Sequence, residues 1–231
     1  MRLRPLVAEF VGTFTLIFVG VGAIAATTAD KRGPDLLAVA LAHGLAIGVM
    51  VGATAAVSGG HLNPAVTLGA LVAGRIGIVG AVGYWVAQFL GGIAGALMIA
   101  VTVPASQLKA AGYGIPAPGQ GVGQLEAVVL ELILTFFLMF VIYGTAMRGT
   151  GSAVAGLFIG LTITLDILVG GPLTGAAMNP ARFVGPALVN LSQLQFTWIY
   201  FVGPAAGAIA AAALWRFVLE EGRRARAASA R

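Results

Sequence analysis

His61-Leu62-Asn63-Pro64-Ala65-Val66 in the first half of the chain is answered by Ala177-Met178-Asn179-Pro180-Ala181-Arg182 in the second. The shared Asn-Pro-Ala has a physical reading. A residue before proline is pushed out of helical geometry, so Asn63 and Asn179 suit the cap position. Pro64 and Pro180 then open a helix, where a missing N–H costs nothing, and Ala65 and Ala181 keep its tip slim. The apolar stretches that follow, 64–74 and 180–190, are each about 16 Å long if helical, roughly half of a bilayer's hydrocarbon core. One such motif is common at ordinary helix starts. Two of them, each opening a half-length apolar helix, are a specific signal.

The surrounding composition says which solvent these helices meet. Hydrophobic residues make up 59% of the 231, charged residues only 9%, and the mean hydropathy is +0.98. Soluble domains carry about a quarter charged residues, so this chain has too few charges for a water-facing surface and reads as a membrane protein. Six stretches are long and apolar enough to span: roughly 5–27, 36–57, 80–102, 125–147, 153–171 and 196–219. The polar connectors are 28–35, the Pro/Gly-rich 104–123, and 148–152. The first stretch is too long for a signal peptide and lacks a convincing cleavage motif, so it is expected to stay as a span. There are no cysteines, hence no disulfides or thiolate metal sites.

Loop charges set the orientation. Arg2, Arg4, Arg75, Arg148, Arg216 and the tail arginines Arg223, Arg224, Arg226 and Arg231 fall on one side of a six-span chain, and Lys31, Arg32 and Lys109 on the other. The positive-inside rule puts both termini in the cytoplasm, and a multi-pass protein of the plasma (cytoplasmic) membrane is expected. These basic clusters anchor a membrane face and are not a nucleic-acid footprint. The two halves repeat further: Ala8-Glu9-Phe10-Val11-Gly12-Thr13-Phe14 matches Leu130-Glu131-Leu132-Ile133-Leu134-Thr135-Phe136. Each half holds three spans, an odd number, so the halves have opposite topology. The expected fold is an all-α membrane protein, six transmembrane helices plus two re-entrant half-helices in an inverted repeat. It forms one domain over 1–231, with repeats of approximately 1–112 and 113–231. Broken helices meeting near the midplane are the layout of a permeation pathway. Glycines at four-residue spacing (Gly44/Gly48/Gly52, Gly91/Gly95, Gly156/Gly160, Gly203/Gly207) are expected to pack helix crossings.

Two helix N-termini facing one another each carry roughly half a positive charge. A cation about 5 Å from both, at an effective dielectric of ~20, is repelled by about 3 kcal/mol, with desolvation on top. Water loses little, because its oxygen accepts amide N–H groups. The loops Ser58-Gly59-Gly60-His61-Leu62-Asn63-Pro64-Ala65-Val66-Thr67 and Gly175-Ala176-Ala177-Met178-Asn179-Pro180-Ala181-Arg182 resemble the signature loops of the aquaporin (major intrinsic protein) family, and the likeness covers essentially the whole chain. The resemblance implies a right-handed bundle, a homotetramer, and a passive channel for water that excludes ions and protons. It also implies an outer selectivity filter at His43, Ile167, Ala176 and Arg182, with Ile47 and Ile163 one turn inward as an apolar wall. That set is similar to the filter of some plant tonoplast intrinsic proteins. Ile167 in place of a ring implies a wider opening, with ammonia, hydrogen peroxide or urea as further cargo. Phe183 stands where the glycerol-conducting branch has aspartate, and Tyr200 and Phe201 are aromatic as in water-conducting members, so a glycerol or small-polyol facilitator is the alternative within the family.

Other polar residues have rival readings. Glu9 and Glu131, equivalent carboxylates in spans 1 and 4, are expected to hold the irregular backbone of the re-entrant loops; a proton relay is the rival. Asp166, beside the filter, is expected to hold a loop N–H or to face Arg182 indirectly, a direct pore role being the rival. His61 is placed in the cytoplasmic vestibule, with packing or gating as its roles. A secondary transporter shares inverted repeats and broken helices, but capping amides and helix N-termini suit neither Na⁺ nor H⁺. A junction-forming protein with a blocked pore is a third class. No catalytic set, cofactor or metal site is expected; the partners are water, small neutral solutes and the bilayer.

Overall fold

A computed structural model describes residues 3–29, 35–147 and 154–220. Arg2, Lys31, Arg32, Arg148 and the four tail arginines of the charge argument lie outside them. Six helices are long and apolar enough to cross a membrane. They are built on α1 (Leu3–Thr28), α2 (Leu36–Ser58), α4 (Ile78–Thr102), α6 (Gln124–Ile142, extended by a wider turn to Met147), α7 (Ala155–Thr174) and α9 (Thr197–Leu214, extended likewise to Leu219). Two short helices interrupt them, α3 (Pro64–Val72) after α2 and α8 (Pro180–Asn190) after α7, and a one-turn helix α5 (Ala105–Ala110) lies in the central connector. No strand occurs among the described residues.

The local chemistry sets the boundaries. The Asp35 carboxylate accepts from the Ala38 N–H at 3.1 Å and starts α2. Gly59 and Gly175, both at positive φ (89° and 78°), end α2 and α7, each donating its N–H back into the last turn. A left-handed residue at this position is what glycine allows without a Cβ penalty, and it turns both chains from a span into a re-entrant loop.

The bundle is held by close backbone approach, because lipid tails leave no hydrophobic drive between helices. A Cβ on Gly44 or Gly160 would collide with the backbone of the facing helix in the α2–α7 crossing, and Gly48 and Gly156 meet there as well. Gly91 and Gly95 let α4 ride on α1 at Phe10 and Phe14, and Gly203 and Gly207 let α9 ride on α6 at Glu131 and Leu132. The glycine pairs singled out in the sequence therefore mark three crossings, although a Cβ on Gly52 itself would meet open space. The outer surface is apolar, with Leu45, Val49, Val86, Val101, Leu157 and Val169 exposed. That is the surface a bilayer requires.

Candidate functional site

The two half-helices meet at their N-terminal tips. The Asn63 side-chain oxygen accepts from the Ala65 N–H at 2.8 Å, and that of Asn179 from the Ala181 N–H at 2.9 Å. Each asparagine then uses its amide to reach across the meeting point. Asn63 Nδ2 donates to the Met178 carbonyl at 2.8 Å, and Asn179 Nδ2 to the Leu62 carbonyl at 3.0 Å. One amide hydrogen of each side chain is spent on this clasp, and the other remains for the lumen that both residues line.

The clasp depends on strained backbone. Leu62 and Met178, the residues just before the asparagines, sit at φ 53° and 51°, where a side chain costs roughly 1–2 kcal/mol. Two buried carboxylates hold them there. Glu9 accepts from the Leu62 N–H (2.6 Å), the His61 N–H (2.9 Å) and the Ser58 hydroxyl (2.6 Å). Glu131 accepts from the Met178 N–H (2.7 Å), the Ala177 N–H (2.9 Å) and the Thr174 hydroxyl (2.8 Å). Tyr84 donates to the Ser58 carbonyl and Tyr200 to the Thr174 carbonyl, both at 2.7 Å. The same hydrogen-bond set thus occurs twice, once in each half of the inverted repeat. The halves differ in what surrounds this set. Gln88 Nε2 ties Glu9 (2.7 Å) to Thr67 (2.9 Å), whereas in the second half Phe183 replaces the threonine and stacks on Tyr200 with centroids 4.6 Å apart.

A narrow cavity of about 30 Å³ runs past the clasp, from His43, Ile167, Ala176 and Arg182 at one end, by Ile47 and Ile163, to Gly60 and His61 at the other. An outer vestibule of about 410 Å³ lies on the side opposite the termini and shares His43, Ile167 and Arg182 with the narrow part. The four filter positions expected from the sequence therefore stand together where the wide mouth becomes the narrow tube. Arg182 Nε donates to His43 Nε2 at 3.2 Å, and Nη1 to the Gly114 carbonyl at 2.7 Å. Since His43 Nε2 accepts, its proton sits on Nδ1, which donates to the Val39 carbonyl at 2.8 Å, and the ring is neutral. The other guanidinium N–H groups of Arg182 have no partner among the described residues, and the side chain borders the lumen.

His61 lines the far end, its Nδ1 3.1 Å from Thr67 Oγ1 and its ring edge-on to Tyr84. Asp166 departs from one of its expected roles, that of holding a loop N–H. It is fully buried, neither carboxyl oxygen has a hydrogen-bond partner among the described residues, and it does not line the lumen. Its backbone position, next to Ile167 on α7, turns its side chain off the pore face, so it holds no loop N–H. Sequence reasoning missed Gly114, Gln88 and the Ser58 and Thr174 hydroxyls. The Pro/Gly content of 104–123 was a signal only of a connector, with nothing to show that its Gly114 carbonyl folds back onto Arg182.

A bundle that crosses the bilayer six times, and keeps a water-sized passage lined by helix N-termini, is built as a pore of the inverted-repeat kind. The chain belongs to the major intrinsic protein family, whose model matches residues 1–215. It is 43% identical over 226 residues to a probable aquaporin TIP-type alpha of Phaseolus vulgaris, covering 94% of this chain and 86% of that one. It is 42% identical to the probable aquaporin TIP3-2 of Arabidopsis thaliana, over 94% and 84% of the two chains. Among solved structures it is similar to the aquaglyceroporin from Plasmodium falciparum, with a TM-score of 0.84, 26% identity, and coverage of 94% and 96%.

The plant relatives correct one expectation. They are tonoplast intrinsic proteins, of the vacuolar membrane, and they overturn the assignment to the plasma membrane while leaving multi-pass insertion intact. Charge asymmetry reports which face of a bilayer meets the cytoplasm. Two membranes with the same cytoplasmic face look alike to it.

Proposed function

We propose that this chain conducts water passively through the lumen between its two half-helices, with ammonia, hydrogen peroxide or urea as further solutes, and that it turns back ions and protons. The observation that carries the reading is the pair of asparagine-capped helix N-termini clasped tip to tip beside a narrow cavity that both asparagines line. The paired positive ends oppose a cation by about 3 kcal/mol before desolvation is counted, while a neutral molecule meets only donors for its oxygen. Arg182 adds a fixed positive charge at the mouth, and His43, Ile167 and Ala176 set its width. Ile47 and Ile163 supply a wall to which water does not stick. Glu9 and Glu131 act as the loop scaffold, since each accepts three or more hydrogen bonds that a relay would have to give up.

The reading is of a channel and not of an enzyme, in line with relatives that are named as aquaporins. A homotetramer with both termini in the cytoplasm, and halves dividing near residue 112, completes the proposal. Glycerol, against which Phe183, Tyr200 and Phe201 argue, is the alternative solute to be tested, given the likeness to an aquaglyceroporin. Stopped-flow shrinkage of proteoliposomes in osmolytes of graded size, with a parallel ammonia assay, tests all of this. Water flux linear in the osmotic gradient supports a channel. Saturable uptake driven by an ion gradient would establish a transporter instead, and a flux equal to empty vesicles would establish a blocked pore.

A further inference from the structure

We propose that Gly20, on the buried face of α1, is a specificity-determining position, because its missing side chain is the space into which the His43 ring leans. This deepens the filter reading above and rests on it. A Cβ built at Gly20 would lie closer than 3.0 Å to three atoms of that ring, Nε2, Cδ2 and Cε1, and no other atom is nearer to it. The ring therefore lies back against the α1 backbone. In that pose its Nδ1 is held by the Val39 carbonyl (2.8 Å) and its Nε2 faces Arg182 Nε (3.2 Å). Glycine at position 20, the tilt of the imidazole and the seat of the guanidinium are one arrangement.

The consequence concerns width. To restore ordinary van der Waals separation from an added methyl, the ring has to withdraw by roughly 1 Å. The open volume that His43 borders is the narrow cavity on one side and the vestibule on the other. The ring thus moves into the passage, and its Nε2 is carried off the line to Arg182 Nε. For a single file of molecules about 3 Å across, that displacement is a large part of the opening. The obstructing group is the tip of a side chain and not backbone, so the helix itself accommodates alanine, which also has the higher helix propensity. The change is one of selectivity, not of folding.

The test compares Gly20→Ala, His43→Ala and the double variant with the wild type in proteoliposomes, normalised to folded protein. Gly20→Ala is expected to lower water and ammonia permeability about threefold or more, and urea permeability by about tenfold or more, since a wider solute feels a constriction more steeply. In the His43→Ala background the same methyl has nothing to push, and the double variant should equal His43→Ala. Gly22→Ala, whose Cβ meets only the Ile99 Cδ1 at 3.2 Å, should match the wild type. Wild-type flux in Gly20→Ala would overturn the proposal, as would an equal loss in the His43→Ala background, which would mark a general packing defect. If His43→Ala itself leaves every permeability unchanged, it is the filter reading that fails.

Discussion

Replacing Glu131 by glutamine changes one oxygen to an amide nitrogen and almost nothing in volume, so its effect can be worked out from the contacts. The carboxylate accepts three hydrogen bonds, from the Thr174 hydroxyl and from the Ala177 and Met178 N–H groups, and it is fully buried. Hydrogen bonds to a charged group contribute about 1.5–3 kcal/mol each, and a buried donor left without an acceptor costs about 1–3 kcal/mol. In Glu131→Gln the new NH₂ must face either the Met178 N–H or the pair at Ala177 and Thr174, a donor against donors. At least one bond is lost and one N–H is orphaned, so a loss of about 3 kcal/mol is expected, or roughly 6–12 °C in Tm for a chain of this size. The function should suffer further. Met178, held at φ 51° by that bond, presents the carbonyl that receives Asn63, so water flux per folded protein should fall along with stability. The assay is a thermal unfolding curve in detergent paired with stopped-flow flux. Glu126→Gln, an exposed position on the same helix, serves as the control. Wild-type stability and flux in Glu131→Gln would refute the claim that the carboxylate fixes the loop.

Three further outcomes are expected. Arg182→Val removes a unit charge from the mouth; with about 3 kcal/mol of repulsion lost at about 5 Å and an effective dielectric of ~20, proton or small-cation leak should rise by up to about a hundredfold in vesicle pH-decay measurements, and an unchanged leak would count against the filter. Ala176→Trp puts an indole where a methyl borders the passage, and osmotic water flux should drop to the background of empty vesicles. Asp166→Asn should leave water permeability within about twofold of the wild type, because no atom of Asp166 lines the lumen and no hydrogen bond depends on it; a larger change in stopped-flow rates would restore it to the pore.

The parts of this molecule that were legible in its sequence are those written in consecutive residues. Span positions follow from runs of Leu, Val, Ile and Ala, and the half-helices from Asn-Pro-Ala at their tips; α8 runs Pro180–Asn190 as read, and α3 stops two residues short of the expected 74 because Ala73 and Gly74 form the closing turn. His43 and Ile167 were reachable through alignment on those motifs. What stayed hidden are contacts between residues far apart in the chain whose types carry no message of their own. Gly20 looks like one more helical glycine until the His43 ring is seen against it. Gly114 contributes only a backbone carbonyl, which every residue has. Gln88 shows its purpose only through Glu9 and Thr67, both on other helices. Asp166 misled for a related reason: nearness in sequence to the second loop suggested that it holds a loop N–H, yet neither of its carboxyl oxygens has a partner among the described residues.

The clasp between the two asparagines and the opposite carbonyls also dictates an order of manufacture. Leu62 offers its carbonyl to Asn179 and Asn63 its amide to Met178, so the first re-entrant loop cannot be completed while the ribosome is still making the second. Domains and segments that emerge early ordinarily fold early, yet here the early loop waits, its carbonyl and amide without their final partners, until the last third of the polypeptide has been inserted. Docking of the two tips is accordingly a late step in biogenesis, and a truncated product ending before Met178 has no finished tip in either half.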